Sequence, residues 1–352
     1  MWCYLKTVSV YSLIHAIIDF SCAFVMTGLI TVSNNIELVY IGAILYNFLA
    51  FALQFPIGIF ADKWNKNRYV AIIGCALVSV GVLLSLFVKS HFIFIPILFI
   101  GLGNAFFHIG GGIDILNISK GKATLPGIYV STGALGLFLG AYLYLNFLSL
   151  IIVFSLLMVS IILLLNLDAL EELPNNEVFK IEKRNINQNL ILLLLFSAVC
   201  LRSFTGFAVG FDWKNSFGIA LLSTICVVVG KMLGGVVGDK FGWGRVSNIS
   251  LLIASGLFIF APTNMICGLL GLLLFNMTMP LTLTALSNTF PNSKGAAFGL
   301  TTVALFVGYI VEMWISPVID SLNGGLVLFV CGLLSLVVMY FGLNYYKKNR
   351  GV

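Results

Sequence analysis

Long apolar runs separated by short polar clusters make up most of this chain. Segments free of Asp, Glu, Lys and Arg are Thr7–Ile36, interrupted only by Asp19, then Leu38–Ala61, Tyr69–Val88 and Ser90–Ile113. Ala123–Leu167 is a double-length run with a turn expected near Tyr144–Asn146. Leu190–Phe211 and Asn215–Asp239 carry one cation each within the apolar stretch, Arg202 and Lys231. Val246–Ser293 is a second double run, with its turn at Pro262–Thr263–Asn264. Gly295–Ile319, which contains Glu312, and Ser321–Tyr346 complete the series. A helix that crosses a bilayer needs about 20 mostly apolar residues, so the pattern predicts twelve spans. The fold class is an all-α integral membrane protein with twelve transmembrane helices.

Composition agrees and excludes the main alternatives. Hydrophobic residues make up 60% of the chain and charged residues only 9%, against about 25% charged in soluble domains. Too few charges exist to cover a wetted surface. Seven cysteines stand singly with no CxxC pair or Cys/His cluster, so the sequence offers no disulfide framework, metal centre or cofactor site. The N-terminal apolar segment is longer than a signal-peptide core and reads as the first span. The net charge of +6 is explained by topology. With both termini cytoplasmic, alternate loops hold most of the cations, including Lys63, Lys66, Arg68, Lys240 and Arg245, and the opposite side holds only Lys89 and Lys214. Lys and Arg keep loops on the cytoplasmic side, so nucleic acid is not needed to account for the charge.

The most polar stretch, Asp168–Gln188, divides six spans from six. It predicts an N-terminal bundle over 1–167, a cytoplasmic linker over 168–189 and a C-terminal bundle over 190–352. The halves share a loop. Gly58 to Arg68 follows the second span and Gly235 to Arg245 the eighth, and both read G-x-x-x-D-K with an arginine shortly after. Ser119-Lys120-Gly121 before span five is echoed by Ser293-Lys294-Gly295 before span eleven. Internal duplication on this scale is how many secondary transporters are built.

The repeated loop in a twelve-span chain resembles the major facilitator superfamily, over essentially the whole length. The resemblance implies two homologous six-helix bundles working by alternating access. It implies that Asp62, Lys63 and Arg68 form a cytoplasmic gate linkage, with Asp239, Lys240 and Arg245 as the second copy. Asp114, at the inner end of span four, is placed to extend that charge network. The first copy has Asn65 where a glycine is usual, and the second keeps Gly242. His15-Ala-Ile-Ile-Asp19 in span one and Gly101 to His108 in span four are similar to the fosmidomycin-resistance-like branch, whose members are proton-driven drug exporters. Gly127, Gly136 and Gly140 in span five follow the antiporter spacing, but Ala141 stands where that motif has proline.

Ionisable groups within the spans carry the chemistry. Each charge at the bilayer centre costs about 2.5–3.5 kcal/mol on insertion scales, so Asp19, Arg202, Lys231 and Glu312 together cost on the order of 10 kcal/mol if unpaired. His15 and Asp19 are i, i+4 and share a helix face, about 18 Å into span one for Asp19. They are candidate proton-coupling residues with Glu312; the structural alternative is a His–Asp hydrogen bond that locks span one to a neighbour. Arg202 either binds an anionic substrate group through its planar fork or is the counter-ion of Asp19. Lys231 either snorkels or binds substrate, and its repeat mate Gln54 places a polar group at the same depth. His108 is either a cavity-lining residue or a hydrogen-bonded structural histidine. The Gly110-Gly111-Gly112 run lacks the Lys-Ser/Thr of a phosphate loop and reads as a flexible helix end at a gate, while the glycines of spans five and eleven permit close helix contact.

Three functional classes compete. An embedded enzyme using His15, Asp19 and His108 as metal ligands or acid/base groups would need a further ligand or nucleophile, and neither G-x-S-x-G nor H-E-x-x-H occurs. A sensor or scaffold has no soluble partner domain in these loops. A secondary transporter fits best, coupled to protons and exporting a small organic solute or drug; uptake of a small anionic nutrient is the alternative, with Arg202 and Lys231 as its positive site. Partners are the solute, protons and the lipid bilayer, with the chain as a monomer. Ile-, Asn- and Lys-rich usage points to a bacterial plasma membrane.

Overall fold

The computed structural model describes residues 2–32, 35–87, 92–143, 146–167, 186–208, 210–319 and 321–350. Most of the expected linker, the tip of the span five–six turn at Tyr144 and Leu145, and Lys89 lie outside the described residues. The described chain is helical, with no strand. Its helices are α1 (Trp2–Val32), α2 (Ile36–Asn47), α3 (Gln54–Trp64), α4 (Asn67–Leu84), α5 (Phe94–Ile118), α6 (Thr124–Ala141) and α7 (Phe147–Leu165). There follow α8 (Ile186–Ala208), α9 (Phe217–Phe241), α10 (Trp243–Phe258), α11 (Met265–Asn276), α12 (Thr278–Thr289), α13 (Lys294–Ile319) and α14 (Gly324–Arg350).

Among the described residues eleven segments are long and apolar enough to cross a membrane; α10, in the position of the expected ninth span, is shorter at 16 residues. Two spans are made of two helices each. A π-helical turn, Phe48–Ala52, joins α2 to α3 shortly before Pro56. α11 gives way to α12 at Met277, shortly before Pro280. Proline lacks an N–H and cannot bond to the carbonyl four residues back, so the ladder loosens just upstream of each. Asparagine and serine start several helices: the side chains of Asn146, Ser216 and Asn264 accept from the N–H groups of Ser149, Ile219 and Cys267.

The chain divides into two compact units. The first comprises Met1–Ile118, Thr132–Val178 and Asn292–Gly299; the second comprises Ser119–Ser131, Phe179–Pro291 and Leu300–Val352. In the first unit glycine sets the helix spacing. A Cβ on Gly74 would run into the backbone of Phe107, and one on Gly110 into the backbone of Asn67 and Ala71, so α4 and α5 touch main chain to main chain. Likewise Gly136 and Gly140 of α6 sit against the carbonyls of Ala16 and Phe20 on α1. Without water in the bilayer core, van der Waals packing of this kind drives helix association. In the second unit α8, α10, α11, α12 and α14 close around Ile191, Leu195, Leu251, Phe258, Phe275, Leu286 and Leu343. Large apolar side chains on the outside of both units, such as Leu13, Ile151, Ile253 and Leu334, remain exposed, as a lipid-facing surface requires.

One expectation is corrected here. Gly110, Gly111 and Gly112 are not a flexible helix end: they are buried inside α5, where Gly110 meets α4 and Gly112 meets the ring of Phe298. Asp114 lies in the last turns of α5, and the apolar run does not end the helix at Ile113. α5 continues to Ile118, because the carboxylate is satisfied within the unit by the hydroxyl of Tyr11 at 2.6 Å and Nδ2 of Asn67 at 3.0 Å.

The repeated loops have matching jobs. In the first unit the carboxylate of Asp62, buried at the end of α3, accepts from the N–H groups of Gly295 at 2.8 Å and Ala296 at 2.9 Å. In the second unit Asp239, near the end of α9, accepts from the N–H groups of Ala123 at 2.9 Å and Thr124 at 2.8 Å, and from the Thr124 hydroxyl at 2.6 Å. Each aspartate therefore satisfies the free N–H groups at a helix start, α13 or α6, and sits at the positive end of its macrodipole. Asn65 takes the left-handed conformation (φ 53°) that closes α3, which an asparagine tolerates better than most residues. Gly242 fills the corresponding turn with φ 95°. Replacing Asp62 or Asp239 by Asn removes the charge and one acceptor oxygen, at a cost of about 1.5–3 kcal/mol per charge-assisted bond. Each substitution is expected to lower the melting temperature of the detergent-purified protein by roughly 3–6 °C; an unchanged melting curve would contradict the capping role.

Candidate functional site

The first unit buries one cluster of ionisable side chains. His15 and Asp19 lie one turn apart on α1, with Nε2 of His15 3.3 Å from Oδ2 of Asp19. α5 brings His108 to the same point. Its Nε2 is 2.8 Å from Nε2 of His15 and 3.6 Å from Oδ1 of Asp19. Asn104, four residues before His108 and so on the same face of α5, donates from Nδ2 to Oδ1 of Asp19 at 2.9 Å. α6 closes the group with Gly133, where a Cβ would overlap Oδ2 of Asp19 and Nε2 of His15. Phe107 is fully buried beside both imidazoles, so the cluster has an apolar wall.

The hydrogen bonds fix where protons sit. Nδ1 of His108 lies 2.8 Å from the carbonyl oxygen of Asn104. A carbonyl only accepts, so Nδ1 carries the hydrogen and neutral His108 presents a lone pair at Nε2. His15 then donates from its own Nε2 to that lone pair. Asn104 supports both ends of the chain, through its carbonyl to His108 and its amide to Asp19. The single hydrogen between the two imidazoles is thus shared at 2.8 Å, with the Asp19 carboxylate beside it.

The structure brings together His15, Asp19 and His108, which the sequence had separated into a proton pair and a substrate ligand. Glu312 belongs to the second unit, partly buried on α13. Arg202, on α8, donates from Nη1 to the Thr282 hydroxyl at 3.3 Å, a neutral partner for a full positive charge. Lys231 on α9 donates to the carbonyl of Val130 at 3.3 Å. Its repeat mate Gln54 is fully buried, with Nε2 bonded to the carbonyl of Ala50 and Oε1 without a hydrogen-bond partner among the described residues. Lys63 is exposed. Arg68 reaches the carbonyl of Leu167 and covers the ring of Tyr69. Lys240 lies over Phe241, and Arg245 faces a cavity of about 610 Å³ shared with Gly242 and Lys347. Sequence reading passed over Asn104, Tyr11 and Thr282 as partners. Asn104 had a signal, the same four-residue spacing from His108 that joins His15 to Asp19; the other two had none.

No curated protein sequence matches the chain. Among solved structures, the E. coli fucose:proton symporter superposes with a TM-score of 0.68 at 12% identity, covering 96% of this chain and 98% of that one. The human organic anion transporter MFSD10 gives a TM-score of 0.73, also at 12% identity, over 96% of this chain and 99% of that one. At that identity the likeness establishes the fold. The family profile of the Major Facilitator Superfamily matches residues 11–311, most of the chain. With eleven membrane-length apolar helices among the described residues and this match, the chain belongs to the Major Facilitator Superfamily, a multi-pass membrane transporter and not an enzyme.

Proposed function

We propose that this transporter couples the proton gradient to export of a small organic solute carrying an anionic group. The observation that carries the reading is the buried His15–Asp19–His108 cluster, two imidazoles and a carboxylate in mutual contact inside an apolar helix bundle. Intramembrane ionisable groups are costly and mark proton and substrate paths. Arg202 supports the anionic solute: among the described residues its guanidinium bonds to the Thr282 hydroxyl, which keeps most of its fork for a carboxylate, phosphonate or similar group. Lys231, Gln54 and Glu312 complete the proposed polar lining of the path. Uptake of a small anionic nutrient is the second reading, favoured by α6 ending at Ala141, where the antiporter pattern would continue through a proline.

In this reading the carboxylate–helix contacts of Asp62 and Asp239 are the gate contacts that break and re-form during alternating access. Lys63, Arg68, Asp114, Lys240 and Arg245 belong to the same cytoplasmic layer. Both termini lie on the cytoplasmic side of a bacterial plasma membrane, the orientation that the distribution of Lys and Arg favours.

Everted vesicles energised acid inside, with a pH-sensitive dye, test the coupling. Phosphonates and small organic acids, with lipophilic cations as the contrasting class, are added one at a time. At least one anionic compound is expected to dissipate the gradient in wild type, and Asp19→Asn should abolish that response. A mutant response equal to wild type would remove Asp19 from the proton path. For the same compound Arg202→Gln is expected to raise KM by about tenfold or more, the loss of one charge-assisted bond. An unchanged KM would take Arg202 out of the binding site.

A further inference from the structure

We infer that His15, Asp19 and His108 also form a binding site for a divalent first-row transition-metal ion of the Zn²⁺ type. The site uses the same three side chains as the proposed proton path, but it does not depend on that reading.

The geometry is that of a buried three-ligand site. Metal–nitrogen bonds of about 2.0–2.1 Å at tetrahedral angles place neighbouring ligand atoms about 3.3 Å apart. Here the two Nε2 atoms are 2.8 Å apart, and the carboxylate stands 3.3 Å from one and 3.6 Å from the other. The nitrogens need to part by about 0.5 Å to admit an ion. All three ligands are in place at once because two come from successive turns of α1 and the third from α5. Gly133 lets α6 pass close to the donor atoms without displacing them, since any side chain there would fall on Oδ2 of Asp19 and Nε2 of His15.

The outer partners point the same way. A ligating histidine usually gives its other ring N–H to a carbonyl or carboxylate, and Nδ1 of His108 is bonded to the Asn104 carbonyl. Ligating carboxylates are themselves hydrogen-bonded, and Asp19 accepts from Asn104 Nδ2. One residue, Asn104, therefore aims two ligands. Two imidazoles and a carboxylate suit Zn²⁺, Co²⁺ or Ni²⁺, whereas Mg²⁺ and Ca²⁺ prefer all-oxygen sites. On binding, the ion takes the place of the hydrogen between the two Nε2 atoms, and His15 carries that hydrogen on Nδ1 instead. The site then has a net charge of +1, with a coordination position left for water or an anionic group.

Purified full-length protein, stripped with EDTA and freed of any affinity tag, is titrated with CoCl₂ at equilibrium and without a gradient. One Co²⁺ per chain with the intense visible absorption of four-coordinate cobalt is expected, displaced by Zn²⁺ and not by Mg²⁺. His15→Gln and His108→Gln should each weaken binding more than tenfold, and Asn104→Ala, which leaves every ligand in place, about tenfold. The weak spectrum of six-coordinate cobalt, no saturable binding in wild type, or affinity unchanged in all three variants would overturn the site. The wild-type spectrum decides even if a variant fails to fold. Because no transport is measured, failure of proton coupling leaves this result standing, and failure here leaves the proton reading to its own test.

Discussion

A carboxylate placed among apolar helices must find its donors inside the protein, because the bilayer core offers none. Asp19 meets that requirement with an amide and an imidazole on two different helices, and the meeting fixes much of the first unit. α1 and α5 must come close enough for Asn104 to reach Oδ1. α6 must pass the same point without a side chain, which is why Gly133 lies there and why Gly136 and Gly140 carry the close approach along α1. Leaving a buried charge partly satisfied would cost several kcal/mol, so the polar cluster and the glycine stripe are two halves of one solution. The proposed proton path uses the same arrangement, since groups that satisfy a carboxylate in a dry site are the ones that would hold a proton for it.

The repeated loops solve a second problem of unsatisfied polarity. A helix start leaves four N–H groups without partners, and at α13 and α6 an aspartate from a distant loop supplies the acceptor. The sequence motifs are bound crosswise. The aspartate of the first G-x-x-x-D-K copy holds the helix after the second Ser-Lys-Gly, and the aspartate of the second copy holds the helix after the first. Lys294 of that second Ser-Lys-Gly turns back to Oδ1 of Asn117 at 2.8 Å, so its charge is held at the same end of the first unit. A contact built from one carboxylate and two N–H groups is strong when aligned and lost with a small displacement, the property that the proposed gating role requires.

Much of this was legible in the residues. Every apolar run became a helix, and both double runs turned where asparagine could cap the next helix, at Asn146 and Asn264. The errors came from treating each charge as a boundary. Asp114 interrupts an apolar run, but Tyr11 and Asn67 neutralise its cost, so α5 runs on past it. Gly110–Gly112 looked like a loose end because glycine weakens an isolated helix; packing against α4 and Phe298 reverses that preference. The His15–Asp19 pair could be read from i, i+4 spacing alone. That His108 completes it depends on how α1 meets α5, a contact across more than ninety residues that no local pattern encodes. Thr282 as the partner of Arg202 was hidden for the same reason.

The central claim is that the His15–Asp19–His108 cluster takes up and gives back a proton as one unit. Infrared difference spectroscopy of the purified protein, between acid and alkaline buffers containing EDTA, reads this without knowledge of the solute. Wild type should show coupled carboxyl and imidazole bands for one proton, with both sets lost in Asp19→Asn and the carboxyl band shifted in His108→Gln. Spectra that superpose for wild type and Asp19→Asn would show that the cluster does not titrate and would contradict the claim.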